Sequence, residues 1–474
     1  MAIALPHFLT RSLDTEHFAA WSLILQVAGY ATYLDFGLQT AIARFVAQAI
    51  ELEQEERQAK LVSTAMALLS LAGLIAFAGI SIGISQLTHL FSGIPLSALS
   101  DFRHAALLLS LTACLLLPLS TYTGVLIGMQ RNEIAALAIG GSRIAGAGAA
   151  VVTGHYTQSL TVLALCIGAP NLLGGLLQMA AVQGMMAGGR VRVRNISRSM
   201  GAELIRFCAG LTVWSLSMLV IGGLDLTIVG HFRFSAVGFY SVAAMLITFF
   251  TGLTNATLGA MMVPVAALHA RGEDNRILTI VLTATRMTML GNLLLTAAIF
   301  LFGGPLLRLW VGTIYAEGAL PILKVLSFAQ ALRLMLAPYS VMLISTGEQA
   351  KAIPSAICEA LVNLVASIAG VMVFGPVGVA WGTLAGAVCG LLWTFLRIMP
   401  SVRTIRLSSG KFMLRAVLPG SLPCVPLAVF WLIQGHLTSL QYGIGLSTCL
   451  AASALLGSWR SGFFRSFSAL RGHV

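Results

Sequence analysis

The sequence predicts an all-α protein that crosses the membrane many times. Hydrophobic residues fill 58% of its 474 positions and charged residues only 9%, a balance far from that of soluble domains. The apolar residues gather in blocks of about 18 or more, each long enough as a helix to cross about 30 Å of hydrocarbon. Lys and Arg concentrate in alternate connections, as the positive-inside rule requires of a polytopic chain.

Taken in order, blocks bounded by charges or Gly/Pro turns give spans at roughly 18–36, 61–85, 104–127, 134–153, 159–187, 204–230 and 237–264. The series continues at roughly 277–303, 320–344, 352–374, 377–399, 413–434 and 440–457, thirteen spans in all. Of the 28 Lys and Arg, 22 then fall on the cytoplasmic side, five outside (Arg11, Arg103, Arg233, Arg308, Lys324) and Arg333 in mid-membrane. The C-terminus and the tail 461–474 are therefore expected in the cytoplasm. The same bias accounts for the net charge of +12, so no nucleic-acid partner is needed to explain it.

The seven cysteines (114, 166, 208, 358, 389, 424 and 449) lie within spans and show no close pairing in sequence. They read as small packing residues, with neither a disulfide framework nor a metal motif. The nine histidines lack metal-ligand spacing, and no cofactor is expected.

The chain matches itself at an offset of 219, pairing Trp21 with Tyr240, Ser22 with Ser241, Thr32 with Thr251, Thr64 with Thr283, Arg57 with Arg276 and Gly93 with Gly312. Without a gap from 13 to 93 there are 17 identities in 81 pairs; beyond, the offset becomes 217 and sets "VLIG" at 125 on "MLIS" at 342. Two homologous lobes follow, about 1–189 and 199–400, joined by a basic cytoplasmic loop 190–198 and followed by a helix pair at 412–460. Both lobes enter with one orientation, as in a parallel repeat. By the offset, the counterpart of helix 204–230 would run from about −15 to 11, so most of a first helix is missing. Either the chain is truncated, or its start lies upstream of Met1, or the stub 1–10 docks without spanning.

"RSLDTEHFAAWSLILQVAGYATYLDFGLQTAIARFVA" at 11–47 resembles the start of bacterial polysaccharide flippases. These carry an Arg-x-Leu-Gly loop, an aromatic-Ser helix start and a Leu-Asp-x-Gly-Leu run ending in Arg. Asp35, Gly37 and Arg44 match, while Asp14 stands where Gly is usual. "GGLDLTIVGHFRFSAVGFYSVA", "LRLWVGTIYAEGALPIL" and "FGPVGVAWGT" resemble the corresponding second-lobe segments. The resemblance implies membership of the multidrug/oligosaccharidyl-lipid/polysaccharide exporter superfamily, and two six-helix lobes around a central cavity. It implies a polyprenyl-diphosphate-linked oligosaccharide, for polysaccharide or O-antigen synthesis, moved across a bacterial inner membrane by a flippase that is not an enzyme. Coupling to Na⁺ or protons and contact with a polysaccharide polymerase complex are further expectations of the resemblance.

Charges within spans are costly, about 2.5–3.5 kcal/mol at mid-helix, and normally face a cavity or a partner. The candidate substrate-binding residues are Arg286, Arg333, Arg143 and Arg44, of which Arg44, like Arg206, is shallow enough to reach the interface. Asp35, Asp225 and Glu359 are candidates for coupling or for neutralising those arginines, Glu359 above all for pairing. The glycines of "AIGGSRIAGAGAAVV" follow no strand and read as helix-packing positions. A multidrug/cation antiporter remains an alternative, although that role favours an anionic cavity. So does a membrane glycosyltransferase or polymerase, with "DTE" at 14–16 as its acidic pair. A scaffold role in an assembly complex is the third reading.

Overall fold

The computed structural model describes residues 3–86, 99–402, 408–433 and 439–460. Its long elements are α1 (Ala4–Ser12), α2 (Thr15–Tyr33), α3 (Leu38–Glu51), α4 (Glu55–Ser85), α5 (Leu99–Gly128), α6 (Asn132–Tyr156), α7 (Leu160–Met185), α8 (Arg198–Met218) and α9 (Asp225–Phe232). They continue as α10 (Val237–Gly259), α11 (Met262–Ala270), α12 (Asp274–Val311), α13 (Thr313–Met335), α14 (Ala337–Ser345), α15 (Ile353–Phe374), α16 (Pro376–Trp393), α17 (Val425–Ile433) and α18 (Ser439–Arg460). No strand occurs among the described residues. The expected tail 461–474 and the repeat partner Gly93 lie outside them.

Among the described residues eleven stretches are long and apolar enough to cross a membrane, against thirteen expected from the sequence. The difference lies at the two ends. The expected span 18–36 is the helix α2 as far as Tyr33, after which left-handed backbone at Phe36 (φ 53°) and Gly37 (φ 78°) turns the chain before α3. Over its whole length from Thr15, α2 carries Glu16, His17, Gln26, Tyr30 and Tyr33 and is less apolar than the other spans. At the other end α18 offers only a short apolar stretch, Ile444–Ser453, among the described residues.

By its contacts the chain forms two compact units, Met1–Ser241 and Val242–Val474, so the division falls inside α10. In the first unit, α3, α4, α5, α7 and α8 close a core that includes Ile42, Val46, Leu61, Val125 and Leu204. The N-terminus of α7 is fastened to α5 by Asp101, whose carboxylate accepts from the Leu160 N–H (2.6 Å), the Thr161 hydroxyl (2.6 Å) and the Ser159 hydroxyl (3.1 Å). The stub α1 buries Leu5 and Leu9, the latter against Gly154 of α6. Of the glycines expected to pack on α6, Gly146 alone does so tightly; Gly140, Gly141 and Gly148 have open space where a Cβ would stand. They lie on the face of α6 that turns away from its neighbours.

In the second unit α12, α14 and the segments 398–402 and 412–417 enclose a core that includes Val281, Tyr339, Met342 and Phe412. Its tightest feature is the hairpin of α15 and α16. Gly378, Gly382, Gly386 and Gly390 recur every fourth residue and form one stripe. Opposite them stand Gly370, Ser367, Asn363 and Glu359, in backbone contact so close that a Cβ at Gly378 would lie 1.9 Å from the Gly370 carbonyl oxygen. Small residues let membrane helices approach this way.

The antiparallel register brings Cys358 and Cys389 together, with their sulfurs 3.2 Å apart. All seven cysteines are free thiols, but two residues 31 apart in sequence become neighbours once the hairpin folds. Mild oxidation of the full chain should therefore remove two of the seven alkylatable thiols and leave a linked Cys358–Cys389 peptide in mass spectra. Seven alkylated thiols after oxidation would mean the register is wrong.

Candidate functional site

Two clusters of polar side chains stand out among the described residues, one within each unit. In the second unit Arg333 occupies the last turn of α13, just before the interruption at Leu336. Its Nε donates to Glu359 Oε1 at 2.7 Å and its Nη1 to Gln330 Oε1 at 3.3 Å. Nη2 is buried and has no partner among the described residues. The two charged side chains are 24% and 12% exposed. Glu359 is placed by the glycine stripe: a Cβ at Gly390 would stand 2.7 Å from Glu359 Oε2, so the carboxylate rests where α16 has no side chain. A guanidinium offers five donors in a rigid fork. Here the carboxylate takes one edge and another edge remains for an oxygen ligand.

Arg286 lies on α12 and does not join this pair. Its Nε donates to the Arg415 carbonyl at 2.6 Å, in the π turn Met413–Val417, where wider winding alters the pattern of backbone hydrogen bonds. Gly420 approaches the Arg286 backbone closely, a Cβ there reaching 2.9 Å from its carbonyl oxygen. Arg286 thus brackets two helices, while its Nη groups carry no hydrogen bond among the described residues.

In the first unit Arg143 is exposed near the middle of α6, without an ion pair among the described residues. Arg44 is exposed on α3, with its guanidinium 5.2 Å from the centre of the Phe207 ring, and that ring meets Phe45 edge-on. Asp35 serves the local backbone, accepting from the Gly37 N–H in the turn that starts α3. Gly37 is required there twice, for its positive φ and because a Cβ would strike Leu211 at 2.7 Å.

Asp225 is different. It is 6% exposed and begins α9 directly after the π turn Leu219–Gly223. The Tyr240 hydroxyl donates to its Oδ2 at 2.9 Å. Facing this segment, α2 presents Ser22, Gln26 and Tyr30, four residues apart and so on one side of the helix. The Ser22 hydroxyl donates to Ser241 Oγ at 2.9 Å, Gln26 Nε2 donates to the Gly223 carbonyl at 2.8 Å, and the Tyr30 hydroxyl bonds that of Thr227. Ser22 and Ser241 are the very residues matched by the 219-residue offset, so repeat equivalents touch.

The sequence reading used Ser22, Ser241 and Tyr240 as markers of duplication and did not include Gln26, Tyr30 or Thr227. The polar stripe at 22, 26 and 30 in an otherwise apolar helix was the available signal. What it faces depends on helix rotation, which periodicity leaves open. Asp35, Asp225 and Glu359 are not brought together by any described contact, and no group of three metal-ligating side chains occurs among the described residues.

A family model described as polysaccharide biosynthesis protein matches residues 5–269, more than half of the chain. No curated protein matches it. Among solved structures, the lipid II flippase MurJ in an inward closed conformation aligns with a TM-score of 0.70 at 14% identity, over 98% of this chain and 97% of that one. An inward-facing multidrug resistance MATE family transporter of the MOP superfamily gives 0.68 at 18% identity, covering 84% and 94%. The outward-facing form of such a transporter gives 0.54 at 18% identity over the same shares. Identities this low make the likeness one of fold. The family match spans more than half of the chain, so this multi-helix membrane protein belongs to the polysaccharide biosynthesis protein family.

Proposed function

We propose that the protein carries a polyprenyl-diphosphate-linked oligosaccharide across a bacterial inner membrane by alternating access between two lobes, with its C-terminus in the cytoplasm and without enzymatic chemistry. The observation that supports this is Arg333: a guanidinium within the spans, oriented by Glu359 and keeping a donor edge unused. Phosphate oxygens match that fork, and charge-assisted bonds of this kind are about twice as strong as neutral ones. A sugar headgroup needs such a polar route because its hydroxyls lose hydrogen bonds in hydrocarbon. The prenyl tail stays in lipid.

In the second unit Arg286 offers its free Nη groups as a further donor; in the first, Arg143 carries an unpaired charge among the described residues, and Arg44 is held over Phe207. Asp225 is the coupling carboxylate of this reading: buried, held by Tyr240 and seated at a helix interruption. Asp35 and Glu359 serve structure, one capping α3 and the other holding Arg333. A multidrug antiporter is less favoured because the unused edge within the second unit is cationic.

The test is complementation of a flippase-null strain with Arg333→Ala and Arg333→Lys, measuring surface polysaccharide alongside the protein present in membranes. Arg333→Ala should abolish the polysaccharide per unit of protein in membranes, whose level the uncompensated Glu359 also lowers, Arg333→Lys should restore part of both, and Arg308→Ala should be nearly silent. Arg308 sits 60% exposed beside Glu317, where an ion pair contributes about 0–1 kcal/mol. Normal polysaccharide with Arg333→Ala at full protein level would end the cationic-route reading.

A further inference from the structure

The segment between α7 and α8 carries Arg190, Arg192, Arg194 and Arg198 interleaved with Val191, Val193 and Ile196. Its backbone is pinned to the first unit along its length. Gly188 and Gly189 sit so close to Ala59 and Val182 that a Cβ at either would come within 3.0 Å of main-chain atoms. The Arg192 N–H donates to Ser63 Oγ at 3.2 Å and the Ser197 N–H to Thr64 Oγ1 at 3.0 Å. The Ser197 side chain then caps α8. With its backbone held, the segment turns its side chains outward: Val193 is 82% exposed, Ile196 46% and Val191 39%, and all four arginines are exposed.

None of these arginines has an ion pair among the described residues. Two nearby acids are engaged elsewhere, Glu203 with Arg57 at 3.1 Å and Glu56 with Lys60 at 2.6 Å. Four unpaired cations side by side repel one another and attract anions. Three exposed aliphatic side chains among them disfavour water. One environment satisfies both, an anionic lipid interface, where arginines meet phosphates and short apolar side chains enter the headgroup boundary. The flanking helices place the segment at that depth, for α7 and α8 expose apolar residues as lipid-facing helices do, with Leu173 at 60%, Leu177 at 63% and Ile205 at 57%.

We propose that residues 190–198 form a docking surface for anionic bilayer lipids, fixing the inter-lobe connection to the membrane face. This goes beyond the transport reading and stands without it.

The experiment uses the full chain with its seven native cysteines replaced by serine or alanine, Val193→Cys added, and an environment-sensitive fluorophore attached there. The protein is reconstituted in vesicles of phosphatidylcholine, or with a third of that lipid replaced by phosphatidylglycerol. Acrylamide, an uncharged quencher, reports access from water. The anionic vesicles should lower the quenching constant by about twofold or more and shift emission to the blue, as interfacial burial requires. The combined variant R190Q/R192Q/R194Q/R198Q should abolish the difference between the two lipid compositions. Equal quenching in both vesicles, or a difference that survives in the glutamine variant, overturns the proposal. The first comparison needs no arginine variant and so does not depend on that variant inserting correctly. Inorganic diphosphate is added as a competing probe. No effect supports a lipid surface; restored quenching would make the segment a diphosphate site and overturn it.

Discussion

Replacing Gly382 with alanine should remove the folded protein from the membrane. A Cβ at this position would lie 2.3 Å from the Ser367 amide nitrogen and 2.5 Å from its Cα. Both atoms belong to backbone, so no rotamer change relieves the contact and α15 must move away from α16. Overpacking typically costs about 1–3 kcal/mol, and more where the structure cannot give. Here separation would also open the contacts at Gly378, Gly386 and Gly390, because the stripe is one surface. The expected result is a fall in membrane abundance to near background and a loss of the monodisperse species in detergent. Gly291→Ala, on α12 with nothing within 4 Å of its Cβ position, is the control and should be nearly silent. Normal abundance of Gly382→Ala would show that the hairpin is looser than the backbone contacts require.

Removing Glu359 alone should be almost as damaging, for an electrostatic reason. Breaking a buried pair by deleting one partner costs about 3–5 kcal/mol, because the other charge is left uncompensated. With a quarter of the Arg333 side chain exposed, the lower end of that range applies. Glu359→Ala should therefore destabilise strongly, whereas Glu359→Gln should lose less because its amide oxygen still accepts from Nε. The double variant Arg333→Met with Glu359→Met should recover thermal stability, since replacing a buried pair by apolar residues is often neutral or better. It should not recover transport. Measuring melting temperature together with surface polysaccharide separates the two roles: a stable double variant with normal polysaccharide would make the pair purely structural.

Much of the fold could be read from apolar block length, which is why most spans were expected within a few residues of the helices found. The α15–α16 hairpin was visible as two blocks around "FGPVGVAWGT", and Glu359 was the carboxylate most expected to pair with an arginine of the spans, with Asp35 and Asp225 left open beside it. The sites themselves were less legible. The π turns at 219–223, 394–398 and 413–417 leave no hydrophobic signature, since they alter the winding without changing the apolar character of the helix around them. The Cys358–Cys389 contact and the stripe of Ser22, Gln26 and Tyr30 depend on rotation and register between helices. A single sequence constrains those only through packing that has yet to form.

The π turn ahead of Asp225 has a consequence for how this carboxylate is kept in place. Each residue of an α-helix advances the direction of its successors by about 100°, and a π turn holds one residue more than the α turn it replaces. The surplus residue between Leu219 and Gly223 thus sets the angular phase of everything after it. Asp225 meets Tyr240 and Thr227 meets Tyr30 in that phase. Conformational relaxation of the turn to α geometry, with no bond broken and no side chain exchanged, would sweep both groups away from their partners together. The polar cluster in the first unit is thereby geared to the winding of one short stretch of main chain.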